Sequence, residues 1–571
     1  MFEKIKQLIG RLNKQSQSIT SAAVIIGGLS LVSRFLGIFR DRVLAEKFGA
    51  GDTLDIYYAA FRLPDLVYNL LILGAVSAGL IPVFTALLAK HKEEEGWRLI
   101  NNILNLLSVL LLIVCLILFV SAGWLIPLIT PGFSPEKTES VVALSRIMFL
   151  SPFFLGLSAI FSSVLQSFRK FLIYSFAPIL YNLGIIVGAL WLVDIFGLYG
   201  LAWGVVLGAF LHMVIQLLPL FSTGFKYRLD FNWRDKNVLR VVRMMIPRTL
   251  SLAISQINFV VITIVASTLA AGSLAIFNLS NNLQNFPLGI FGVSLAVAAL
   301  PVLSTLAAEK KNKDFVQTLS STLRQILFFI IPAATLLYVL RAQIVRVILG
   351  AGQFDWQATR LTAACLALFC LGLFAQGVYP LVIRAFYALH NTKTPFYVGL
   401  ATLAVNLVAI FFWRWIFAFD NPLSFFITAI LRLTDLWGVV DFRVLALPLS
   451  LTTSAIFELF VLLFYLRKQI GQLDGRKIFD STLRIVFASL GGGLMAYFSL
   501  YFLDAYVPTE KVWGIMFQGG FAGLIGLAGY GLLGLILNME EMAVFISSLR
   551  KKLFRSAIVM AEDSISEGDK G

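Results

Sequence analysis

The chain has 571 residues, of which 59% are hydrophobic and 13% charged, and its formal net charge is +15. Soluble proteins carry about 25% charged residues, and the apolar blocks here run to about 20 residues or more, enough to cross a hydrocarbon core of roughly 30 Å. A soluble globular fold is excluded, as is a β-barrel, whose alternating segments of about ten residues do not occur.

The first residues carry Lys4, Lys6, Arg11 and Lys14 and then run into a long apolar span without a small-residue cleavage site. That pattern predicts a cytoplasmic lead-in over 1–19 and no cleaved signal. About fourteen spans follow, near 20–46, 53–89, 99–129, 139–167, 172–195, 198–222, 245–271, 274–306, 316–349, 358–389, 395–418, 443–467, 480–504 and 512–538. Prolines inside them (Pro64, Pro82, Pro152, Pro178, Pro287, Pro301, Pro332, Pro380) predict kinks. One set of connecting loops is basic: Lys90, Lys92 and Arg98; Arg169 and Lys170; Lys226 to Arg243; Lys310, Lys311 and Lys313; Lys393; and Arg467 to Arg484. The opposite set is poorer or mixed, as in Glu136-Lys137-Thr138-Glu139. The positive-inside rule therefore predicts both termini in the cytoplasm. The basic excess serves topology and implies no nucleic-acid partner.

Two stretches repeat. Ala50-Gly51 is followed by Pro82-Val-Phe-Thr-Ala-Leu87, and Ala271-Gly272 by Pro301-Val-Leu-Ser-Thr-Leu306, about 220 residues later. Six spans separate equivalent points, so the copies run parallel and predict two six-helix lobes around a central cavity. The fold class expected is an all-α polytopic membrane protein of about fourteen helices, with two extra at the C-terminus. Its parts are an N-lobe over 20–222, a basic cytoplasmic linker over 223–244, a C-lobe over 245–468, helices thirteen and fourteen over 479–538, and a cytoplasmic tail over 539–571. An external insert, 419–443, is rich in aromatics and suits a helix lying in the membrane interface.

Arg34 and Arg40 fall in the first span. A cation at bilayer depth costs roughly 2.5–3.5 kcal/mol on insertion scales, so it faces water, a counter-charge or an anionic ligand. Six residues on a helix are about 9 Å along the axis and about 120° short of two full turns, so the two line adjoining walls of one cavity. Arginine's planar fork suits phosphate. Asp55, Arg62 and Asp65 follow in the second span. The competing reading pairs Arg34 with Asp55 or Asp65 as a clamp and makes Arg40-Asp41-Arg42 an interfacial cluster. Glu458 lies mid-span, either as a coupling-cation or proton site or as a hydrogen-bonded structural group. Cys115, Cys365 and Cys370 read as small buried side chains, and His91, His212 and His390 are too scattered for a metal site. There is no phosphate-loop motif and no catalytic set, so an enzyme is not expected.

The segment Ser33-Arg34-Phe-Leu-Gly37-Ile-Phe-Arg40-Asp41, with Phe48-Gly49-Ala50-Gly51, Asp55 and Phe61-Arg62-Leu63-Pro64-Asp65-Leu66, resembles the N-terminal signature of the MurJ (MviN) lipid II flippases. Further similarity lies in Phe176-Ala-Pro178-Ile-Leu-Tyr-Asn182, Leu201-Ala-Trp203-Gly204, Met244-Met245-x-Pro247, Phe286-Pro287-x-Gly289-x-x-Gly292-Val293, and Phe386-Tyr387 with Lys393-Thr394-Pro395. The resemblance implies the multidrug/oligosaccharidyl-lipid/polysaccharide exporter fold. It also implies transport of an undecaprenyl-pyrophosphate-linked peptidoglycan precursor across the bacterial inner membrane for cell-wall synthesis, with helices thirteen and fourteen forming a groove for the lipid tail. Arg34, Arg40 and Asp55 match family positions, the arginines as pyrophosphate ligands, and the substrate-binding residues expected are Arg34, Arg40, Asp55 and Arg62. Two expected cavity arginines are absent: the segment after Leu-Pro-x-Leu reads Val67-Tyr68-Asn69, and Asn281-Asn282 stands where the family often has Asp-Arg. Either Arg62 and other groups substitute, or the cargo is another lipid-linked oligosaccharide, such as an O-antigen or exopolysaccharide unit. A cation-coupled drug antiporter on this fold would need an acidic cavity. No cofactor is expected beyond a coupling monovalent cation or the membrane potential. The partners expected are membrane lipids and cell-wall synthesis enzymes, with the chain acting as a monomer.

Overall fold

A computed structural model describes residues 19–73, 76–508, 511–548 and 550. Most of the predicted lead-in and the acidic end of the chain, Ala561 to Gly571, lie outside the described residues. Every regular element among the described residues is helical. Ten helices are long and apolar enough to cross a membrane, and a pair bent by 48°, Trp356–Cys370 with Leu373–Ala388, makes up to eleven. Three further expected spans fall on Ile19–Phe48, on the broken run from Asp52 to Ala89, and on Lys236–Ser267. Together these positions fit the fourteen expected from hydropathy.

The breaks come where local chemistry predicts some of them. π-helical turns occupy Tyr68–Leu73, four residues beyond Pro64, and Leu288–Val293, directly after Pro287. A proline removes an intrahelical hydrogen bond, and a widened turn absorbs the mismatch. The sharp bend near Pro380 instead falls at Leu371-Gly372, between the two helices of the bent pair.

The chain divides into two compact units. The first comprises residues 1–283, 348–365 and 396–454. Within it, the Glu93–Ile129 helix starts with Glu93, Glu94 and Glu95, whose charges favour a helix N-terminus. One face is exposed and apolar, including Leu112, Leu116 and Val120, at the four-residue spacing of a helical stripe. Nearer its N-terminus the helix buries Asn101, Asn102 and Asn105. Those amides hold the linker as an extended strap: Asn101 and Asn105 donate to the carbonyls of Lys226, Arg228 and Asp230, while Asn101 and Asn102 accept from the N–H groups of Arg228 and Asn232. The Phe171–Phe196 and Tyr199–Phe221 helices meet through glycines. A Cβ on Gly184 would lie 2.3 Å from Gly208 Cα, and one on Gly188 would lie 2.5 Å from Gly204 Cα, so only glycine permits this approach. In the insert, the Pro422–Ile430 helix buries Ser424 and Thr428 and exposes Leu423, Phe425, Phe426 and Ile430.

The second unit comprises residues 284–347, 366–395 and 455–571. Its Gly475–Asp504 and Val512–Ile536 helices pack on one another and on Asn312–Val339. Residues just beyond the last long helix fold back: Arg324 pairs with Glu540 and Glu541, Ser481 donates to Glu541, and Phe545 packs against Phe328 and Phe329.

Candidate functional site

The broken second helix sets two different groups of charges inside the first unit. At its start, Gly51 and Asp52 open the Asp52–Ala60 helix. Asp55, 2% exposed, accepts hydrogen bonds from the backbone N–H groups of Gly272 (2.8 Å) and Ala275 (2.9 Å). Its carboxylate thus caps the Ser273–Pro287 helix, where the partial positive charge of the dipole favours an anion. Lys137 completes the group, 3.0 Å from Asp55 and 2.6 Å from Asp52, with its ammonium 3.8 Å from the Phe133 ring centroid. The two repeat turns meet here. Gly272 has φ +84°, and a Cβ on it would lie 2.0 Å from the Ala50 carbonyl oxygen.

Two turns of helix further on, Arg40 and Arg62 line one cavity of about 220 Å³. Arg40 donates to Asp41 (3.0 and 2.7 Å) and to Asn182 Oδ1 (3.1 Å). Asn282 donates to the other oxygen of Asp41 (2.9 Å). Arg62, 8% exposed, donates to Thr263 Oγ1 (2.6 Å) and Asn278 Oδ1 (2.9 Å), and its guanidinium lies 5.6 Å from the Phe259 ring centroid. Tyr57, Tyr58, Tyr181 and Asp65 complete the lining. The Tyr58 hydroxyl is buried without a hydrogen-bond partner among the described residues.

The geometry separates the sequence candidates. Arg40 and Arg62 come together. Asp55 stands apart in the Lys137 group and pairs with no arginine among the described residues. Arg34 is half-exposed, lies outside the cavity lining, and has no hydrogen bond or ion pair among the described residues. Glu458, in the second unit, is hydrogen-bonded to Tyr379. Asn282, at a position where a cation was expected, supplies a neutral donor to Asp41, while Tyr68 begins a π-helical turn outside the lining. The sequence did not single out Asp41, the three tyrosines or Asn278 as site residues. The Tyr57-Tyr58 pair inside a helix that also carries Asp55 was the available signal.

Chemically, an arrangement of this kind can receive an oxyanion. Each guanidinium is fixed by some of its N–H groups and keeps others unused among the described residues. Asp41 is already engaged by Arg40 and Asn282, whereas the hydrogen bonds of Arg62 go to neutral partners and the Asp65 carboxylate of the same lining offsets part of its charge. Low local dielectric strengthens such contacts.

The family model for "Lipid II flippase MurJ" matches residues 44–517. The chain is 31% identical over 412 residues to a probable lipid II flippase MurJ of Vibrio cholerae, covering 70% of this chain and 78% of that protein. It is 26% identical over 501 residues to a second, from Buchnera aphidicola subsp. Baizongia pistaciae, covering 85% and 97%. A solved structure described as lipid II flippase MurJ in an inward closed conformation superposes with a TM-score of 0.70 at 24% identity, over 90% of this chain and 98% of that one. An inward-facing multidrug resistance MATE family transporter of the MOP superfamily shares the fold, with a TM-score of 0.61 at 14% identity over 79% and 99%. The protein is a multi-pass membrane protein, and by the extent of these matches it belongs to the lipid II flippase MurJ family.

Proposed function

We propose that the chain carries lipid II, an undecaprenyl-pyrophosphate-linked peptidoglycan precursor, from the inner to the outer leaflet of the bacterial cytoplasmic membrane. The observation that carries this reading is the single cavity that Arg40 and Arg62 both line. A diphosphate offers several charged oxygens, and arginine forks bind them in pairs. The polyprenyl tail stays in lipid while the head crosses. At about 220 Å³ the cavity is below the roughly 300–1,000 Å³ of pockets for drug-sized ligands. This conformation therefore seats a diphosphate-sized group, and the sugar-peptide head requires a wider one.

Transport follows by alternating access between the two lobes assigned from the repeat. Arg34, about 9 Å along the helix from Arg40, meets the head before it reaches the cavity. Moving one charge through 100 mV is worth about 2.3 kcal/mol, so the membrane potential supplies a drive, and Glu458 is the candidate coupling-cation site. The N- and C-termini lie in the cytoplasm, helices thirteen and fourteen hold the tail, and the chain works as a monomer beside cell-wall synthesis enzymes.

The test is complementation of cells depleted of their own lipid II flippase. The wild-type chain restores growth; Arg40→Ala, Arg62→Ala and Arg34→Ala, present in equal amounts in the membrane, do not. Full rescue by both cavity variants removes the guanidinium pair from the mechanism.

A further inference from the structure

A second concavity lies away from this cavity, on the outer face of the first unit. It has a volume of about 750 Å³ and is lined by Leu112, Leu116 and Phe119 from the Glu93–Ile129 helix, by Arg146, and by Tyr199 and Trp203. Leu112 and Leu116 are 54% and 64% exposed on a helix long and apolar enough to span the membrane, so this face meets acyl chains. Arg146 is exposed within it, at the head of the apolar run Ile147 to Phe161. Its Nε donates to the Phe119 carbonyl (3.2 Å), and its guanidinium lies 5.4 Å from the Phe119 ring centroid. These contacts fix the side chain but neutralise nothing. Arg146 has no ion pair among the described residues, and its two terminal nitrogens have no hydrogen-bond acceptor among them.

An uncompensated guanidinium at a lipid-facing groove is costly unless an anion reaches it. The two free nitrogens form the edge that grips two phosphate oxygens. Tyr199 and Trp203 are the residue types that settle at headgroup level. A transmembrane helix from another protein would fill the apolar part and leave the charge unmet. We infer that this groove is a binding site for an anionic phospholipid, with the phosphate on Arg146 and an acyl chain along Leu112 and Leu116.

The test uses the full chain reconstituted in bilayers containing brominated lipids, with fluorescence quenching of Trp203 isolated by subtraction of Trp203→Phe. Brominated phosphatidylglycerol should reach half-maximal quenching at about fivefold lower mole fraction than brominated phosphatidylcholine, given about 1 kcal/mol per cation at an anionic surface. Arg146→Lys should keep that preference and Arg146→Gln should lose it. Equal quenching by the two lipids in the unaltered Arg146 background overturns the proposal, with or without recovery of the Gln variant. Displacement of the bromolipid by a polyprenyl phosphate at lower mole fraction than by phosphatidylglycerol also overturns it, by making the groove part of the cargo's route.

Discussion

Asp55 and Arg62 lie two turns apart on one broken helix, 2% and 8% exposed, yet their surroundings are opposite. Asp55 is answered on every side, by the Lys137 ammonium and by two backbone N–H groups at a helix start. Among the described residues Arg62 is hydrogen-bonded to neutral oxygens alone, with a ring face beside it, and its counter-charge, Asp65, shares an open cavity with it. A buried charge that is fully compensated serves the fold, because its interaction free energy is spent within the protein. One held in position by neutral groups keeps its field for a ligand. Burial alone does not distinguish the two; the identity of the partners does.

The comparison breaks if the Asp55 group proves dispensable to stability. Asp55→Ala strands two N–H groups and leaves Lys137 with Asp52 alone, and removing one partner of a buried pair costs about 3–5 kcal/mol. The expected outcome is a large drop in the thermal midpoint of the purified protein, and an unchanged midpoint refutes the structural role. Gly272→Ala comes next. It forces a side chain onto φ +84° and against the Ala50 carbonyl, at a cost of about 1–3 kcal/mol for the backbone conformation. It should lower the midpoint without altering the charge of either group. Neither change touches the cavity lining.

Much of this was legible in the sequence. Hydropathy gave the spans because lipid imposes a length on each helix, and Arg40 stood out because a cation in an apolar run demands a reason. The duplication of Ala50-Gly51 at Ala271-Gly272 foretold related turns, though not that they would pack against each other. The surroundings of Asp55 were not legible. Its partners lie 82, 217 and 220 residues away, and two of them are backbone groups that every residue carries. For the same reason the Asn101, Asn102 and Asn105 strap escaped notice, since each amide bonds main chain more than 120 residues distant. The pairing of Arg62 with Arg40 was open in the sequence and was decided by where the helix breaks.

From the other side of the comparison, Arg62→Gln should leave the fold nearly intact, because a neutral amide can still bond Thr263 and Asn278, at a cost of about 1 kcal/mol. Ligand binding should suffer more. Hydrogen bonds to charged groups are worth about 1.5–3 kcal/mol, so affinity for a soluble diphosphate probe should fall roughly ten- to a hundredfold. Titration calorimetry reads this directly. Equal affinity in the variant would place Arg62 with Asp55 as a structural residue.

The smallest effect belongs to a charge pair that is neither buried nor set beside a cavity. Arg360 hydrogen-bonds both carboxylate oxygens of Asp435 in the insert, and the Asp435 side chain is 64% exposed. The hydrogen bonds from Arg360 hold this carboxyl below its usual range. A carboxyl with a depressed folded-state pKa contributes stability that is present above its unfolded value of about 3.9 and lost as pH falls through the folded one. Through this pair the melting point should therefore be flat from neutral pH down to about pH 5 and decline only in stronger acid. Asp435→Asn should erase that part of the acid dependence and change little at neutral pH, since water screens an exposed pair. A loss at neutral pH as large as that for Asp55→Ala would mean that compensation by a partner, and not burial with it, sets the scale.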